Sequence, residues 1–480
     1  MPTTTLTERY AAAKQSLEAV DQAHVLQYFD ELTDDQQDRL LAQIESVDWP
    51  EVHRLIESHV RHKPEFKLPD NVEPAPWYPN TPPADLEARY RDARAVGEQL
   101  IRDGKVAAFV VAGGQGTRLG WDGPKGTFPA TPIRKLPLFA CFAEYIRKTQ
   151  SKFGSTVPFY VMTSPINDAD TRAFFKDNNY FGLDPANVMI FPQGMMPAID
   201  RETGKVLLAD RDELALSPNG HGGSLKALYS SGAIADMQKR GIEHISYIQV
   251  DNPIVKVIDP LFLGLHAQDE AQMSSKMLPK AYAKEKLGNF CLVDGKMTVI
   301  EYSDLPDALA EARQPDGELR FRAGSIALHA MRVDFVESLN KGGDTVGFNL
   351  PFHRAEKKVA YLDSATGQAV TPDQPNAVKL ETFVFDALPM CDTSILYETD
   401  RIEEFAPIKN AEGVDSPASS YEIQIERAAR WLEAQGVTVP RRDDKPDATL
   451  EISQLTAIEA SDLKDVKLPE KISPKSELLL

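Results

Sequence analysis

The sequence predicts an α/β fold built on a mixed, mostly parallel sheet, with a helical N-terminal region and a small β-rich C-terminal module. From about Lys105 to about Asp363, apolar runs of strand length alternate with segments of helical periodicity, which is typical of helices packed on a parallel sheet. The first 95 residues show helical spacing, and the sequence beyond Pro440 becomes polar and rich in proline. We therefore predict three regions: 1–95, 96–375 and 376–480.

Composition and charge narrow the class of protein. The chain has 480 residues and a formal net charge of −19, which argues against a nucleic-acid or anionic-membrane partner, because both require a basic face. No apolar run approaches the roughly 18 residues of a membrane span, and no signal peptide is evident, so we expect a cytoplasmic protein. Isolated cysteines predict buried thiols in a reduced compartment; they are Cys141, Cys291 and Cys391.

The N-terminal region is predicted from helical patterns and their boundaries. Apolar residues recur at helical spacing over Tyr10–Phe29, and Thr33 with Gln36 forms a capping box before the next helix. The proline-rich stretch Pro69–Pro83 predicts an extended connector. A further amphipathic helix over Asp85–Arg102 leads the chain to the first strand of the core.

The core strands are predicted from short apolar runs: Val106–Val111, Val157–Thr163, Asn187–Phe191 and Ile245–Val250. Asp294-Gly295 lies between two further runs and is a strong hairpin signal. Gly113, Gln193 and Asp251 follow three of the strands. Because ligands of such sheets gather at the carboxyl ends of the strands, we expect these residues to lie at a binding site. In the terminal module, Thr449–Ile452 predicts a short β segment.

A glycine-rich segment after the first strand is the most informative part of the chain. It reads Val111-Ala112-Gly113-Gly114-Gln115-Gly116-Thr117-Arg118-Leu119-Gly120, followed by Pro124-Lys125-Gly126. Glycines lack a Cβ, so their backbone can approach a ligand closely and adopt positive φ where needed. Arg118 and Lys125 place cations beside an anion that the backbone amides could hold. This pattern predicts a nucleotide phosphate site, and the structural alternative is a tight strand-to-helix connection.

Two familiar glycine motifs fit this segment poorly. The phosphate-binding loop of ATPases requires Gly-Lys-Ser/Thr after four intervening residues, and that pattern is absent. In the dinucleotide fingerprint the third glycine would fall on Leu119, and no acid lies about 20 residues past the start of the loop. A dinucleotide oxidoreductase is therefore the weaker hypothesis.

Many sequence blocks in a fixed order resemble the eukaryotic-type UDP-N-acetylhexosamine pyrophosphorylases, within the larger family of UTP:sugar-1-phosphate uridylyltransferases. Besides the glycine-rich segment, the matching blocks are Gln193-Gly194-Met195, Val250-Asp251-Asn252, Val299-Ile300-Glu301-Tyr302-Ser303, Ala323-Gly324, Lys379-Leu380-Glu381-Thr382-Phe383-Val384-Phe385-Asp386 and Phe405-Ala406-Pro407-Ile408-Lys409-Asn410. The resemblance implies a GT-A-like nucleotidyltransferase core. It also implies that 376–440 completes the active site, which leaves 441–480 as the terminal module.

The resemblance implies that UTP and a sugar 1-phosphate react to give a UDP-sugar and pyrophosphate, with Mg²⁺ as cofactor. It places Asp251 at the metal and the nucleotide. It further assigns catalytic contacts to phosphate to Arg118, Lys125, Lys379 and Lys409, nucleotide contacts to Ala112, Gly113, Gly114, Gln193 and Gly220, and sugar contacts to His221, Glu301, Tyr302 and Ser325. Each of these residues also has a structural alternative, as a surface charge, a loop amide or a strand-end side chain.

Two departures from the family pattern leave the sugar open. Pro218-Asn219-Gly220-His221-Gly222-Gly223 has a histidine that is closer to the UDP-glucose pyrophosphorylases, and Ser325 replaces an asparagine of the N-acetylhexosamine enzymes. Losing that amide removes hydrogen bonds that discriminate among sugars, each about 0.5–1.5 kcal/mol net. N-acetylglucosamine 1-phosphate is favoured, with glucose 1-phosphate or broad specificity as the alternative. A more remote alternative is a nucleotide-binding homologue that has lost turnover.

Overall fold

A computed structural model describes residues 5–63, 68–69, 71–341 and 350–480. The helices, numbered in chain order, are α1 Leu6–Glu18, α2 Asp34–Glu45, α3 Trp49–Leu55, α4 Glu87–Arg102, α5 Leu138–Phe153, α6 Asp168–Asp177, α7 Gly223–Ser230, α8 Ala233–Arg240, α9 Pro260–Gln268, α10 Asp307–Ala310, α11 Val333–Lys341, α12 Arg401–Glu404 and α13 Pro417–Glu433. Among the described residues, no helix combines the length and the apolar character needed to cross a bilayer.

The strands are likewise numbered in chain order. They are β1 Val72–Pro74, β2 Val106–Val111, β3 Phe159–Thr163, β4 Val188–Pro192, β5 Met195–Pro197, β6 Ile199–Asp200, β7 Leu208–Asp210, β8 Glu213–Leu214, β9 Leu216–Pro218, β10 His244–Gln249, β11 Met273–Pro279, β12 Asn289–Val293, β13 Lys296–Ile300, β14 Ala323–Arg332, β15 Phe352–Lys357, β16 Tyr361–Leu362, β17 Ala369–Val370, β18 Ala377–Thr382, β19 Leu396–Glu398, β20 Arg441–Arg442, β21 Lys445–Pro446, β22 Thr449–Glu451 and β23 Glu477–Leu479.

A ten-stranded mixed sheet forms the centre of the larger part of the fold. Its main path runs β1-β12-β14-β10-β2-β3-β4, with β11 against β14, β13 against β12 and β19 against β11. The four strands β10, β2, β3 and β4 are parallel, and β14 joins β10 in the antiparallel sense. The chain leaves β2 toward β3 on one side and reaches β10 on the other. The carboxyl ends of β2 and β10 therefore flank a topological switch point, where open sheets bind ligands.

Apolar side chains explain why these strands form the centre. Every residue from Val106 to Val110 is 0–1% exposed, as expected for a parallel strand covered on both faces. The same core includes apolar residues of α5, such as Leu138, Phe139 and Phe142. The predicted α/β class with a mostly parallel sheet is confirmed.

Several local predictions match the structure. Strand β2 has the predicted bounds, Val106–Val111, and the Thr33–Gln36 capping box is present at the start of α2. Asp294 and Gly295 have φ values of 50° and 77°, as a two-residue hairpin turn between β12 and β13 requires. All three cysteines are free and buried.

Two local predictions differ from the structure. Helix α1 ends at Glu18, and the helical pattern to Phe29 continues only as short 3₁₀ turns. The chain turns there because buried Gln22 donates to Gly204 O at 3.1 Å and accepts from Val206 N at 2.8 Å, a long-range contact that periodicity does not reveal. The predicted connector is extended, but β1 within it also pairs with β12 at the sheet edge.

The described chain forms two compact units. Unit 1 comprises Met1–Lys67, Gln193–Lys226 and Leu350–Val384, and unit 2 comprises Leu68–Pro192, Ala227–Asn349 and Phe385–Leu480. In unit 1, apolar residues of the N-terminal helices pack with Ile199, Val378 and Leu380 of the sheet β15-β18-β6. Unit 2 contains the ten-stranded sheet. The boundaries placed at residues 95, 375 and 440 from the sequence remain a prediction.

Candidate active site

The glycine-rich segment folds back on itself at the end of β2. Ala112 N donates to Met162 O at 2.8 Å, Gly116 N donates to Gly123 O at 2.9 Å, and Lys125 N donates to Gly114 O at 3.1 Å. These bonds bring Pro124-Lys125-Gly126 beside Gly114. The residues between the glycine-rich block and the Pro124-Lys125-Gly126 block therefore form the loop that brings the second block back beside the first.

The glycines of this loop lie in different local environments, so the lack of a Cβ has a different consequence at each position. A Cβ on Gly116 would lie 2.7 Å from Trp121 Cβ, and one on Gly126 would lie 2.1 Å from Phe139 Cε2, so these two permit close packing. Gly114 is exposed, and a Cβ there would meet nothing within 4 Å. Positive φ occurs at Gly120 and Gly123, not at the earlier glycines where the sequence allowed for it. The backbone at Gly114 therefore faces open space that a ligand can enter.

A buried asparagine that the sequence analysis missed holds this loop. Asn167, which is 0% exposed, donates through Nδ2 to Ala112 O at 3.1 Å and to Gly114 O at 3.3 Å. Its Oδ1 accepts from Ser164 N at 2.8 Å. The side chain thus ties the backbone on both sides of Gly113 to the end of β3. No sequence motif marks this residue, because its partners are carbonyl groups distant along the chain.

Three cations and one carboxylate that follow β2 and β10 or lie near their carboxyl ends are close enough to interact electrostatically. Lys125 is 8% exposed, and burial lowers the pKa of its ammonium group. Asp251 opposes this shift, while Arg118 and Lys409 lower the pKa further. Four of the predicted phosphate- and metal-site residues therefore interact electrostatically in unit 2.

Asn252 connects this cluster to the segment that carries Lys409. Its Nδ2 donates to Glu404 O at 2.6 Å, and its Oδ1 accepts from Ala406 N at 3.1 Å. Ile408 N donates to Asp251 O at 2.8 Å. The side chain of Lys409 lies 3.4 Å from Asp415. An Asp-Asn pair at the end of β10 thus places one carboxylate in the site and uses the neighbouring amide to position a distant lysine.

Three of the four predicted sugar residues, Glu301, Tyr302 and Ser325, belong to unit 2, and the fourth, His221, belongs to unit 1. Ser325 N donates to Gly288 O at 2.8 Å, and a Cβ on Gly288 would lie 3.4 Å from Glu301 Oε1 and 3.7 Å from Ser325 Cβ. Glu301 and Ser325 therefore flank Gly288, which the sequence analysis did not select. Tyr302 is 47% exposed.

The remaining predicted residues belong to unit 1. Gly220 has a φ of 83°, and a Cβ there would lie 2.3 Å from Thr382 O, so the loop packs directly on the end of β18. Thr382 N donates to Asn219 O at 2.9 Å, and Asn219 N donates to Gly194 O at 3.4 Å. Lys379 is a half-buried residue of β18, opposite Ala355 of β15. Gln193 is buried and immediately precedes Gly194.

His221 has internal partners in unit 1. Its Nδ1 accepts from Val384 N at 3.1 Å, and its ring stacks on Phe383 at a centroid distance of 5.3 Å. Burial lowers its pKa to about 4, and His353 adds to that shift. The imidazole is therefore neutral near pH 7, and one of its nitrogens supports the fold.

The fold is that of an α/β protein with a mixed, mostly parallel sheet, and a cluster of three cations and one carboxylate lies at the switch point of that sheet. Residues 70–420 match the family model described as UTP–glucose-1-phosphate uridylyltransferase. The chain belongs to this family, and the resemblance predicted from its sequence is confirmed.

Curated relatives and a solved structure extend the match to most of the chain. The chain is 34% identical to UDP-N-acetylhexosamine pyrophosphorylase-like protein 1 of Xenopus tropicalis, covering 94% of this chain and 92% of that protein. It is 32% identical to the UDP-N-acetylglucosamine pyrophosphorylase of Saccharomyces cerevisiae, covering 97% and 99%. The structure of the uridine diphosphate N-acetylglucosamine pyrophosphorylase from Trypanosoma brucei superimposes with a TM-score of 0.83 at 26% identity, covering 98% and 99%.

Proposed function

We propose that this enzyme transfers the uridylyl group of UTP to N-acetylglucosamine 1-phosphate and releases pyrophosphate. The observation that carries the proposal is the buried Lys125, grouped with Arg118, Lys409 and Asp251 at the end of β2. A cation cluster in a chain with a net charge of −19 indicates a polyanionic substrate. The names of the relatives supply the class of sugar.

The proposed reaction requires two polyanions to be held together. A phosphate oxygen of the sugar 1-phosphate attacks the α-phosphorus of UTP, and the bond from that phosphorus to the bridging oxygen of the departing pyrophosphate breaks. Positioning can contribute about 7–11 kcal/mol to the lower barrier. Fixed cations stabilise the charge that develops on the leaving oxygens. Arg118, Lys125 and Lys409 are our candidates for that role, and no protein nucleophile is needed.

Mg²⁺ is the proposed cofactor, and Asp251 is its proposed protein ligand. Among the described residues, no group of three or more histidine, cysteine or acidic side chains could hold a metal. A single carboxylate, that of Asp251, suits Mg²⁺, which often binds one carboxylate together with substrate phosphates and water. The ion would neutralise phosphate charge during transfer.

Three residues of unit 1 are further candidates for substrate contacts, each considered by itself. Gln193 is our candidate for the uracil, Gly220 for the nucleotide and Lys379 for phosphate, supported by their matches to family blocks. Three free, buried cysteines suit a reducing compartment, and we propose the cytoplasm.

Glucose 1-phosphate, or several sugars, is the second candidate substrate. It is favoured by Ser325, which lies beside Gly288 and Glu301 and lacks the amide expected in N-acetylhexosamine enzymes. We expect Ser325→Asn to raise the kcat/KM ratio of N-acetylglucosamine 1-phosphate over glucose 1-phosphate by about 2- to 10-fold, the value of one hydrogen bond. An unchanged ratio would show that Ser325 does not set selectivity.

Pyrophosphate release tests the function directly. The purified chain is incubated with UTP, Mg²⁺ and each of several sugar 1-phosphates, and pyrophosphate is measured over time. We expect the fastest release with N-acetylglucosamine 1-phosphate. Faster release with glucose 1-phosphate would favour the second candidate. Release with none of them, together with UTP binding by calorimetry, would indicate a homologue without turnover.

A further inference from the structure

The loop between β11 and β12 lies against two of the predicted sugar residues of unit 2. It runs from Lys280 to Gly288, and Ser325 N donates to Gly288 O at 2.8 Å. A Cβ on Gly288 would lie 3.4 Å from Glu301 Oε1, so the loop backbone passes directly beside that carboxylate. A shift of this loop would therefore change the distance from Gly288 to both of these residues.

A buried lysine at the start of the loop ties its two ends together. Lys280 is 7% exposed, and its Nζ donates to Ala283 O at 3.2 Å and to Asn289 Oδ1 at 2.5 Å. Its backbone N donates to Arg322 O at 2.9 Å, just before β14. One ammonium group thus connects the beginning of the loop to the residue that follows Gly288.

Asn289 connects the loop to the two strands beside it. It is 2% exposed, and its Nδ2 donates to Ile300 O at 3.2 Å. Along the main chain it lies opposite Ile300 of β13 and Gly324 of β14. These two neighbours immediately precede Glu301 and Ser325 in the sequence. Asn289 therefore ties the loop to both strands that carry the predicted sugar residues.

The hydrogen-bond partners of the Lys280 ammonium group are neutral. Among the described residues this group forms no ion pair, and burial lowers its pKa, an effect that Glu285 opposes. The Glu285 carboxylate is engaged elsewhere, because it accepts from Ala281 N and from Arg401 Nη2, each at 2.7 Å. A buried charge without a counter-ion is costly, but a charged donor makes stronger hydrogen bonds than a neutral one. The charge of Lys280 thus strengthens the two bonds that hold the loop.

We propose that Lys280 and Asn289 are positioning residues that set the affinity for the sugar 1-phosphate. They act through the backbone of Gly288, which they hold beside Glu301 and Ser325. The inference rests on the proposed function, and it adds two residues outside the sequence blocks from which that function was predicted. None of these hydrogen bonds involves the glycine-rich segment, so the effect should be confined to the sugar substrate.

Steady-state kinetics of the full chain, with each substrate varied in turn, tests the proposal. The sugar 1-phosphate is the one that the wild-type chain uses fastest. We expect Lys280→Met to raise the KM for this substrate by about 10- to 100-fold, the value of a hydrogen bond from a charged group. The KM for UTP should change by less than about twofold. A smaller folded fraction would lower kcat and leave both KM values unchanged, so partial unfolding does not produce this result.

A second variant tests the same loop from its other end. Asn289→Val removes the acceptor for Lys280 and the donor to Ile300 O, and valine suits a buried strand. We expect it to raise the KM for the sugar 1-phosphate by roughly 10-fold and to leave the KM for UTP unchanged. Circular dichroism checks that each variant is folded, and Asn289→Val decides the question if Lys280→Met does not fold.

A matched control and the wild-type chain separate the possible outcomes. Lys286→Met removes an exposed lysine of the same loop and should leave both KM values unchanged; an equal effect of this control would overturn the proposal. Wild-type chain that releases no pyrophosphate would refute the proposed function and this inference with it. An active wild type, together with a folded Lys280→Met or Asn289→Val variant whose KM for the sugar is unchanged or rises equally with that for UTP, would overturn the positioning role alone.

Discussion

Two buried lysines of unit 2 have opposite surroundings. Lys276 on β11 is 2% exposed, and its Nζ donates to Asp259 at 2.7 Å and to Glu404 at 2.5 and 2.7 Å. Lys125 is 8% exposed. Within the part of the chain that the structure describes, its ammonium group makes no hydrogen bond or ion pair, and Asp251 is the one group that favours its charge.

The difference separates a lysine whose charge is neutralised within the fold from a lysine that we propose binds phosphate. Burial alone would lower the pKa of Lys276, but Asp259 and Glu404 outweigh it and raise that pKa. At Lys125 burial, Arg118 and Lys409 together lower the pKa. A buried ammonium beside other cations costs stability, and a phosphate group would relieve that cost. The electrostatic environment, more than burial itself, therefore distinguishes Lys125, the lysine that we propose binds phosphate, from Lys276.

Removing the satisfied lysine should have the largest effect. Lys276→Met leaves Asp259 and Glu404 buried without a cation, so we expect a loss of about 3–5 kcal/mol in the free energy of unfolding. Denaturant titration of the full chain measures it. Lys105→Met, which breaks the exposed pair with Glu243, is the control and should leave the midpoint unchanged. Equal midpoints for the two variants would contradict the structural role of Lys276.

Removing the unsatisfied lysine should affect activity instead of stability. We expect Lys125→Met to lower kcat/KM by about 10²–10³-fold, as for other preorganised groups that stabilise a leaving oxygen, while the denaturation midpoint stays the same or rises. Steady-state kinetics and denaturant titration on the same preparation test both parts. A lower denaturation midpoint together with a normal kcat/KM would show that Lys125 stabilises the fold and does not act in catalysis.

The pH profile gives a second measure of the same group. Because the pKa of Lys125 is lowered in the free enzyme, its positive charge is lost as pH rises through a value below the usual lysine value of about 10.4. We expect kcat/KM to fall on the alkaline side below that pH. Lys125→Arg should remove this fall, because a guanidinium stays charged.

Asp251→Asn removes the carboxylate that supports Lys125 and that we propose binds Mg²⁺. We expect turnover to fall by at least about 10- to 100-fold, because the metal is placed less well, with a higher Mg²⁺ concentration needed for half-maximal rate. Asp122→Asn, an exposed position of the same loop, is the control. Near-normal turnover of Asp251→Asn at low Mg²⁺ would exclude Asp251 from the metal site.

Asn167 tests whether the loop backbone must be held for the cations to act. Asn167→Asp can still accept from Ser164 but cannot donate to Ala112 O and Gly114 O. We expect both Asn167→Asp and Asn167→Ala to raise the KM for UTP by roughly 10-fold, about the value of one hydrogen bond, with a smaller change in kcat. A normal KM in the aspartate variant would show that Asn167 acts only through Ser164.

Much of this protein could be predicted from local sequence. The run Val106–Val111 is a strand with the predicted bounds, and Asp294-Gly295 forms the predicted turn. The family was predicted from its blocks, and the match is confirmed. These features depend on neighbouring residues, whose periodicity, backbone preference and order are visible in a linear chain.

Tertiary structure alone decided which distant residues act together. It divided the chain into two units made of separated segments, used Gln22 to end a helical pattern, and placed Asn167 under the glycine-rich loop. It also gave Lys125 and Lys276, two buried lysines that look alike in sequence, pKa shifts of opposite sign. The sign of such a shift depends on charges more than 100 residues away, such as Glu404 for Lys276. Burial and long-range electrostatics arise only when the chain folds, and periodicity carries no information about them.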